Sequence, residues 1–370
     1  VGMIGGLIGV LAIILFVTAH EAGHFVAAKA TGMKATEFFF GFGPRLWSFR
    51  RGETEYGIKA IPAGGYVRIV GMNPFEEVAP EDVGRTYREK PFWKKSVVVL
   101  AGVGMNFLIA YLIFFGLVMA MGVNEPVPVV DEVISTRQGE VTAASAAGLR
   151  AGDRIVGLNG REYDDWEGIS SLISGNPGES ITFTILRDSE ELELDVTLGS
   201  RTLADGDVVG FLGIAPEFDR RPAGVLESLG FAARDVWSNI GLTFRALGDL
   251  LHPESLLRLA GVFVGDTDVP MESRPVSPIG LANLGSQAET IGIPNYIALL
   301  ASVNVILATF NVIPLLPLDG GHFAVAAWQK VTGREPDVRK LVPVAMAVVA
   351  LFVFLTLAAI VLDIFNPIQM

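Results

Sequence analysis

Residues 1–24 read Val1-Gly-Met-Ile-Gly-Gly-Leu-Ile-Gly-Val-Leu-Ala-Ile-Ile-Leu-Phe-Val-Thr-Ala19-His20-Glu21-Ala22-Gly23-His24, and nothing in them is charged before Glu21. A charge-free apolar run of about 20 residues is long enough to cross a bilayer as a helix. Continued helically, the run reaches Ala28 and carries His20, Glu21 and His24 with it. No basic stretch precedes it and no small-residue cleavage site follows, so it reads as a span and not a signal peptide. Three further runs carry no charge: Ser96 to Val123, Ile291 to Leu318 and Leu341 to Leu362. The 370 residues are 51% hydrophobic and 18% charged, below the quarter or so charged that soluble domains carry. Cysteine is absent, which excludes disulfides, thiolate zinc sites and a cysteine nucleophile. A formal net charge of −12 argues against a nucleic-acid binder.

Charge between the spans sets an orientation. Lys29 to Lys95 holds 12 Lys and Arg against 8 Asp and Glu, a net of +4. Asn124 to Pro222 holds 8 against 19, a net of −11, and the short loop Asp319 to Lys340 has 4 basic residues. Basic residues near span ends stay in the cytoplasm. The Lys29–Lys95 and Asp319–Lys340 segments are therefore expected inside, and the acidic middle segment and both termini outside. Between them, Leu226, Leu229, Ala233, Val236, Ile240, Phe244, Leu247 and Leu251 follow a three-to-four spacing, with Arg234, Asp235, Arg245 and Asp249 on the other face. That pattern suits an interfacial helix or one packed on a soluble domain.

His20-Glu21-Ala22-Gly23-His24 is an HExxH motif. Positions i and i+4 of a helix share a face, so both imidazoles can reach one ion, with Glu21 beside them to take a proton from its water. Ionisable groups inside a membrane helix are costly and usually functional. The bland alternative is three polar residues at a helix end, satisfied by the interface. Catalytic zinc takes three protein ligands and keeps one position open. The residues after His24 lack the further histidine of a metzincin, so the third ligand lies elsewhere. In Asn311-Val-Ile-Pro314-Leu-Leu-Pro317-Leu-Asp319-Gly320-Gly321-His322, the Asp-Gly-Gly alone reads as a turn at a helix end. Topology adds to it. The first and third of four alternating spans run the same way, so His20, His24 and Asp319 reach a similar depth towards the cytoplasmic leaflet. His322 ranks below Asp319 as a ligand. The two prolines and two glycines break the third span, as is tolerated where a helix lines a cavity or is buried in protein.

HEAGH in a first span and NVIPLLPLDGGH in a later one resemble the site-2 proteases, the zinc metalloproteases of regulated intramembrane proteolysis, in a single-PDZ bacterial form. The NxxPxxxLDG pattern is matched in full, and the resemblance covers nearly the whole chain. It implies a polytopic α-helical membrane protein with four transmembrane helices, a cytoplasmic-side re-entrant β-hairpin or sheet element, and one inserted extracytoplasmic α+β PDZ domain. It implies Zn2+ held by His20, His24 and Asp319, catalysis by Glu21, and substrate contact by Asn311.

Ala35 to Val70 reads as strands: Thr36–Phe40, Pro44–Arg51, Thr54–Ile61 and Tyr66–Val70, parted by Gly41-Phe42-Gly43, Arg51-Gly52 and Ala63-Gly64-Gly65. An edge strand there can pair with a substrate unwound from its helix. GFGP and GGYVRI resemble the family's re-entrant loop, which assigns Gly41, Gly43, Gly64, Gly65 and Tyr66 to substrate binding. The alternative is an ordinary cytoplasmic β meander. In the acidic segment, Ala146-Ala147-Gly148-Leu149-Arg150-Ala151-Gly152-Asp153-Arg154-Ile155-Val156-Gly157-Leu158-Asn159-Gly160 resembles the bacterial PDZ signature, with room for one such domain. That departs from the tandem pair of the family's enterobacterial member. A PDZ groove accepts extended peptides, or the domain is a lid without a ligand.

The expected organisation is a first span over 1–30, a β-rich re-entrant loop over 31–92, a second span over 93–123, and the PDZ domain over 124–218. An interfacial segment over 219–290, a third span over 291–320, a cytoplasmic loop over 321–340 and a fourth span over 341–365 follow. The resemblance implies an endopeptidase of the bacterial inner (plasma) membrane, its active site towards the cytoplasm. Its expected substrate is a single-span protein, such as an anti-sigma factor already trimmed outside by a site-1-type protease, or a signal-peptide remnant. Two rivals stand. One is a PDZ-bearing scaffold with a vestigial metal site. The other is a surface zincin with Glu37 or Glu289 as third ligand.

Overall fold

The computed structural model describes residues 2–73, 76–137, 140–202, 207–267, 269–270, 274–287, 292–334 and 336–367. They form two compact units. One joins residues 1–118 to residues 225–370, and the other is residues 119–224.

Among its described residues the first unit is built of helices and one sheet. Helix α1 (Gly2–Ala30) carries the HExxH residues in its last third. Strands β1 (Ala35–Arg51) and β2 (Thr54–Ile69) follow, then helix α2 (Phe92–Met121). The expected four short strands are two long ones that bend. Phe38 pairs with Val67 on one side and with Tyr56 on the other, and Tyr56 pairs in turn with Phe49. The order across the sheet is therefore 66–69, 35–40, 54–58 and 47–51. The glycine clusters read as strand breaks are the bends. Gly41 has φ +87°, and a Cβ there would lie 2.8 Å from the carbonyl oxygen of Ile61. Only glycine takes that bend at that separation.

The second unit holds β3 (Val123–Val133), α3 (Ala143–Ala146), β4 (Arg154–Leu158), α4 (Trp166–Gly175), β5 (Ser180–Arg187), β6 (Glu190–Thr197) and β7 (Ile214–Arg221). Its main sheet runs β7-β3-β4-β5-β6. Alternate residues of β4 and β5 face one way, and Ile155, Phe183 and Ile185 join Val130, Leu158 and Ile169 in its core. At the edge of this core the buried Asp153 accepts two bonds from Arg187, at 2.7 Å each, and one from the Arg150 amide at 2.8 Å.

The chain then returns to the first unit as α5 (Val225–Leu250), α6 (Pro253–Gly261), α7 (Pro278–Ser286), α8 (Ile293–Val312), α9 (Asp319–Thr332) and α10 (Val338–Phe365). Among the described residues four helices are long and apolar enough to cross a membrane: Gly5–Ala30, Phe92–Met121, Ile293–Val312 and Arg339–Phe365. A helix satisfies its own backbone polar groups, which is what lipid demands. The third uncharged run yields a shorter helix than expected, because Pro314 and Pro317 end α8 at Val312.

Helix α5 turns inward a face that overlaps one edge of its apolar stripe, with the rest of the stripe exposed. Ser228, Ala232 and Thr243 are buried, while Leu226 is 84% and Trp237 76% exposed. Ala232 packs with Ala110 and Phe114 of α2 and with Ala301 and Val305 of α8. Val236 and Ile240 of the stripe pack against the same cluster, and the small side chains beside them let the helices approach closely.

In the second unit, burial pushes the Asp153 carboxyl up, but the Arg187 and Arg150 hydrogen bonds outweigh it and hold it below the usual aspartate range. A carboxylate depressed in the folded state stabilises it above its unfolded pKa of about 3.9. That contribution is lost as pH falls through the folded value. Asp153→Asn is expected to destabilise this unit by about 2 kcal/mol at neutral pH. Amide exchange at Ile155 and Ile185 in the full chain measures it, with wild type and variant converging at acid pH.

Candidate metal centre

Histidines 20 and 24 lie one turn apart on the buried side of α1, at 8% and 6% exposure. Asp319 opens α9 after Leu318. A carboxylate in the first turn of a helix faces its positive end. The helix can start there because Gly320 and Gly321 fold it against the end of α8. A Cβ at Gly320 would lie 2.1 Å from the Val312 carbonyl oxygen, and one at Gly321 2.4 Å from the Leu316 nitrogen.

The three side chains meet at one point. His20 Nε2 lies 3.0 Å from Asp319 Oδ2, His24 Nε2 lies 3.1 Å from the same oxygen, and the two Nε2 atoms are 3.1 Å apart. A tetrahedral zinc site with bonds of about 2.0 Å places its ligand atoms about 3.3 Å apart. The triangle therefore fits a zinc ion with one face left open. Among the described residues this is the group of His, Asp and Glu able to hold a metal. The Nδ1–H of His24 donates to the Val98 carbonyl at 2.8 Å. That bond fixes the tautomer and leaves a bare lone pair on Nε2.

Two glycines make this possible. A Cβ at Gly23 would lie 2.4 Å from the Ala101 carbonyl oxygen, and one at Gly102 would lie 2.3 Å from Nε2 of His24. Helices α1 and α2 cross with the His24 ring filling the space a side chain at 102 would take. Neither glycine was singled out by the motif. The run Ala101-Gly102-Val103-Gly104 carried the signal, as small residues inside a span mark close helix contact.

Glu21 is half-buried beside the triangle. A Cβ at Gly65 would lie 3.2 Å from its Cγ, so the outer segment of the β1–β2 sheet passes directly against this carboxylate's stem. Gly41, Gly43 and Gly64 mark the bends of the same sheet, each with positive φ. Tyr66 stacks between Phe39 and Phe42, with ring centroids at 5.9 and 6.0 Å. Its hydroxyl donates to Glu37 and accepts from Lys59 at 2.6 Å. Glu37 also accepts from Arg68 at 3.1 Å, so it serves the sheet and not the triangle. Glu289 lies outside the described residues. His322 follows Asp319 on α9 and is not among the three converging side chains. Asn311 closes α8, its amide donating to the Leu307 carbonyl at 3.1 Å.

Residues 8–357 match Peptidase family M50. The zinc metalloprotease Rip1 of Mycolicibacterium smegmatis is 33% identical to this chain, over 99% of this chain and 98% of that protein. Rip1 of Mycobacterium tuberculosis is 30% identical over 97% of each. The zinc metalloprotease RasP of Shouchella clausii is 26% identical over 90% and 91%.

Gly102→Val is expected to push the His24 ring out of the triangle. Zinc per chain, measured by elemental analysis of the purified protein, should fall well below wild type, while Gly104→Val, where a Cβ meets no neighbour, should leave it unchanged.

Proposed function

The chain belongs to peptidase family M50, the site-2 proteases, and from that premise we propose how this zinc metalloendopeptidase of a multi-pass membrane protein works and what it cuts. His20, His24 and Asp319 hold the zinc, and Glu21 is the general base. The observation that carries this is the triangle of ligand atoms at 3.0 to 3.1 Å with Glu21 adjacent on the same helix.

Zinc, when bound, supplies a water acidified to a pKa of about 7 and a positive charge for the scissile carbonyl. Glu21 accepts the proton of the attacking water and returns it to the leaving amine. Val98 keeps His24 in the tautomer that leaves Nε2 free. Gly65 lets a sheet segment run against Glu21 without a side chain between them. A helical substrate hides its carbonyls in its own hydrogen bonds, so it must unwind first. An extended peptide added alongside residues 65–69 would present its backbone next to Glu21. Gly41, Gly43 and Gly64 give the sheet the bends that bring this segment there, Tyr66 stiffens it, and Asn311 contacts substrate from the end of α8.

The substrate is the transmembrane segment of a single-span protein, trimmed outside the membrane by a site-1-type protease. An anti-sigma factor or a signal-peptide remnant has that form. On this reading the 35–69 sheet and α9 face the cytoplasm of a bacterial inner membrane and the 119–224 unit is extracytoplasmic, which the excess of Lys and Arg near the span ends supports. That unit reads as one PDZ-type domain. A groove between β3 and α4, lined by Pro126, Trp166, Ser170 and Ser174, is where it would hold an extended chain end.

Glu21→Gln is expected to bind zinc as wild type does and to cut a membrane-embedded reporter peptide about 10²- to 10⁴-fold more slowly. Undiminished cleavage by that variant would refute the role of Glu21.

A further inference from the structure

His20 brings to the metal centre one polar atom that nothing among the described residues satisfies. Its Nε2 belongs to the triangle, so the ring proton sits on Nδ1. Nδ1 is buried and has no hydrogen-bond partner, unlike Nδ1 of His24. A buried N–H left unpaired costs about 1–3 kcal/mol, and the bilayer interior offers no solvent to relieve it. Two acceptors share this condition. Oδ1 of Asn106 on α2 and Oδ1 of Asn304 on α8 are buried and without partners. The Nδ2–H of Asn304 donates to the backbone carbonyl of Asn106 at 2.8 Å, which ties the two residues together where α2 meets α8.

Helical register puts the three at a similar depth. Phe16 of α1, Ile109 of α2 and Leu300 of α8 belong to a single apolar cluster. His20 is one helical turn on from Phe16, Asn106 one turn back from Ile109, and Asn304 one turn on from Leu300. Helix α2 runs against α1, since His24 reaches Val98 while Phe16 packs with Ile109. Helix α8 runs with α1, since Tyr296 reaches Gly5 while Asp319, just beyond its end, reaches His24. Each step therefore moves in the same direction by three or four residues, a rise of about 4.5 to 6 Å.

One donor and two acceptors are the complement of a single water, which accepts one hydrogen bond and donates two. We propose that Asn106 and Asn304 position His20: a buried water accepts the Nδ1–H of His20 and donates to both amide oxygens. The inference rests on the reading of His20 as a zinc ligand. Metal-bound histidines donate their second ring N–H to an outer partner, and loss of that partner weakens metal affinity about 10- to 100-fold.

The test is zinc affinity of the full chain in detergent, by chelator competition, with the visible spectrum of the cobalt-substituted protein beside it. Asn106→Leu removes one amide oxygen and leaves the backbone carbonyl that Asn304 uses. Asn106→Asp keeps an oxygen there. Ala110→Val disturbs packing at the same crossing one turn away. Asn106→Leu is expected to weaken zinc binding about 10- to 100-fold and to shift the cobalt bands, with Asn106→Asp and Ala110→Val close to wild type. Asn106→Ser, too short to reach the water, repeats the test should the leucine variant not fold. Wild-type affinity in Asn106→Leu, with zinc lost in His20→Ala, would overturn the positioning role and spare the ligand reading. Equal weakening in Ala110→Val would reduce the effect to packing and overturn it as well. Wild-type affinity in His20→Ala would overturn both.

Discussion

Two imidazole nitrogens and a carboxylate oxygen held within 3.1 Å of one another inside a bundle of apolar helices set the terms for everything around them. Such a cluster is expensive in a medium without water. It is tolerated where its lone pairs converge on a cation and its remaining polar atoms find partners. The surrounding architecture supplies both conditions. Gly23 and Gly102 bring α2 close enough for the Val98 carbonyl to accept the His24 Nδ1–H, and Gly320 and Gly321 fold α9 back so that Asp319 points at the histidines.

The same constraint accounts for the irregular parts of the first unit. Pro314 and Pro317 end α8 short of the uncharged run's full length, and this interruption lets a carboxylate enter from a helix start at the depth of the HExxH turn. The bent sheet answers a different need. On the proposed function an unwound backbone needs something to pair with, and the segment at Gly65, where a Cβ would lie 3.2 Å from the Glu21 Cγ, is suitably placed.

Much of this was legible in the sequence, for a physical reason. Charge-free runs report membrane helices directly, and an i, i+4 histidine pair within one reports a shared face. Equal depth in two parallel spans linked Asp319 to that pair across almost 300 residues, and the structure brings the three together. Side-chain packing between helices was less legible. Gly102 left a trace in the small-residue run 101–104, but the Asn106–Asn304 pair meets across a helix contact that no local periodicity encodes. The spacing on α5 showed an apolar stripe but not which part of it meets α2 and α8: Val236 and Ile240 do so beside the small residue Ala232. The glycine clusters of β1 and β2 looked like strand ends, although positive φ at Gly41 and Gly64 serves equally to bend a continuous strand.

The central claim is that His20, His24 and Asp319 form one zinc site. X-ray absorption at the zinc edge of the purified full chain tests it most directly. The triangle calls for about two imidazoles with the remaining ligands oxygen. A signal from three imidazoles would bring His322 into the site and displace Asp319, and a signal from one or none would contradict the site altogether.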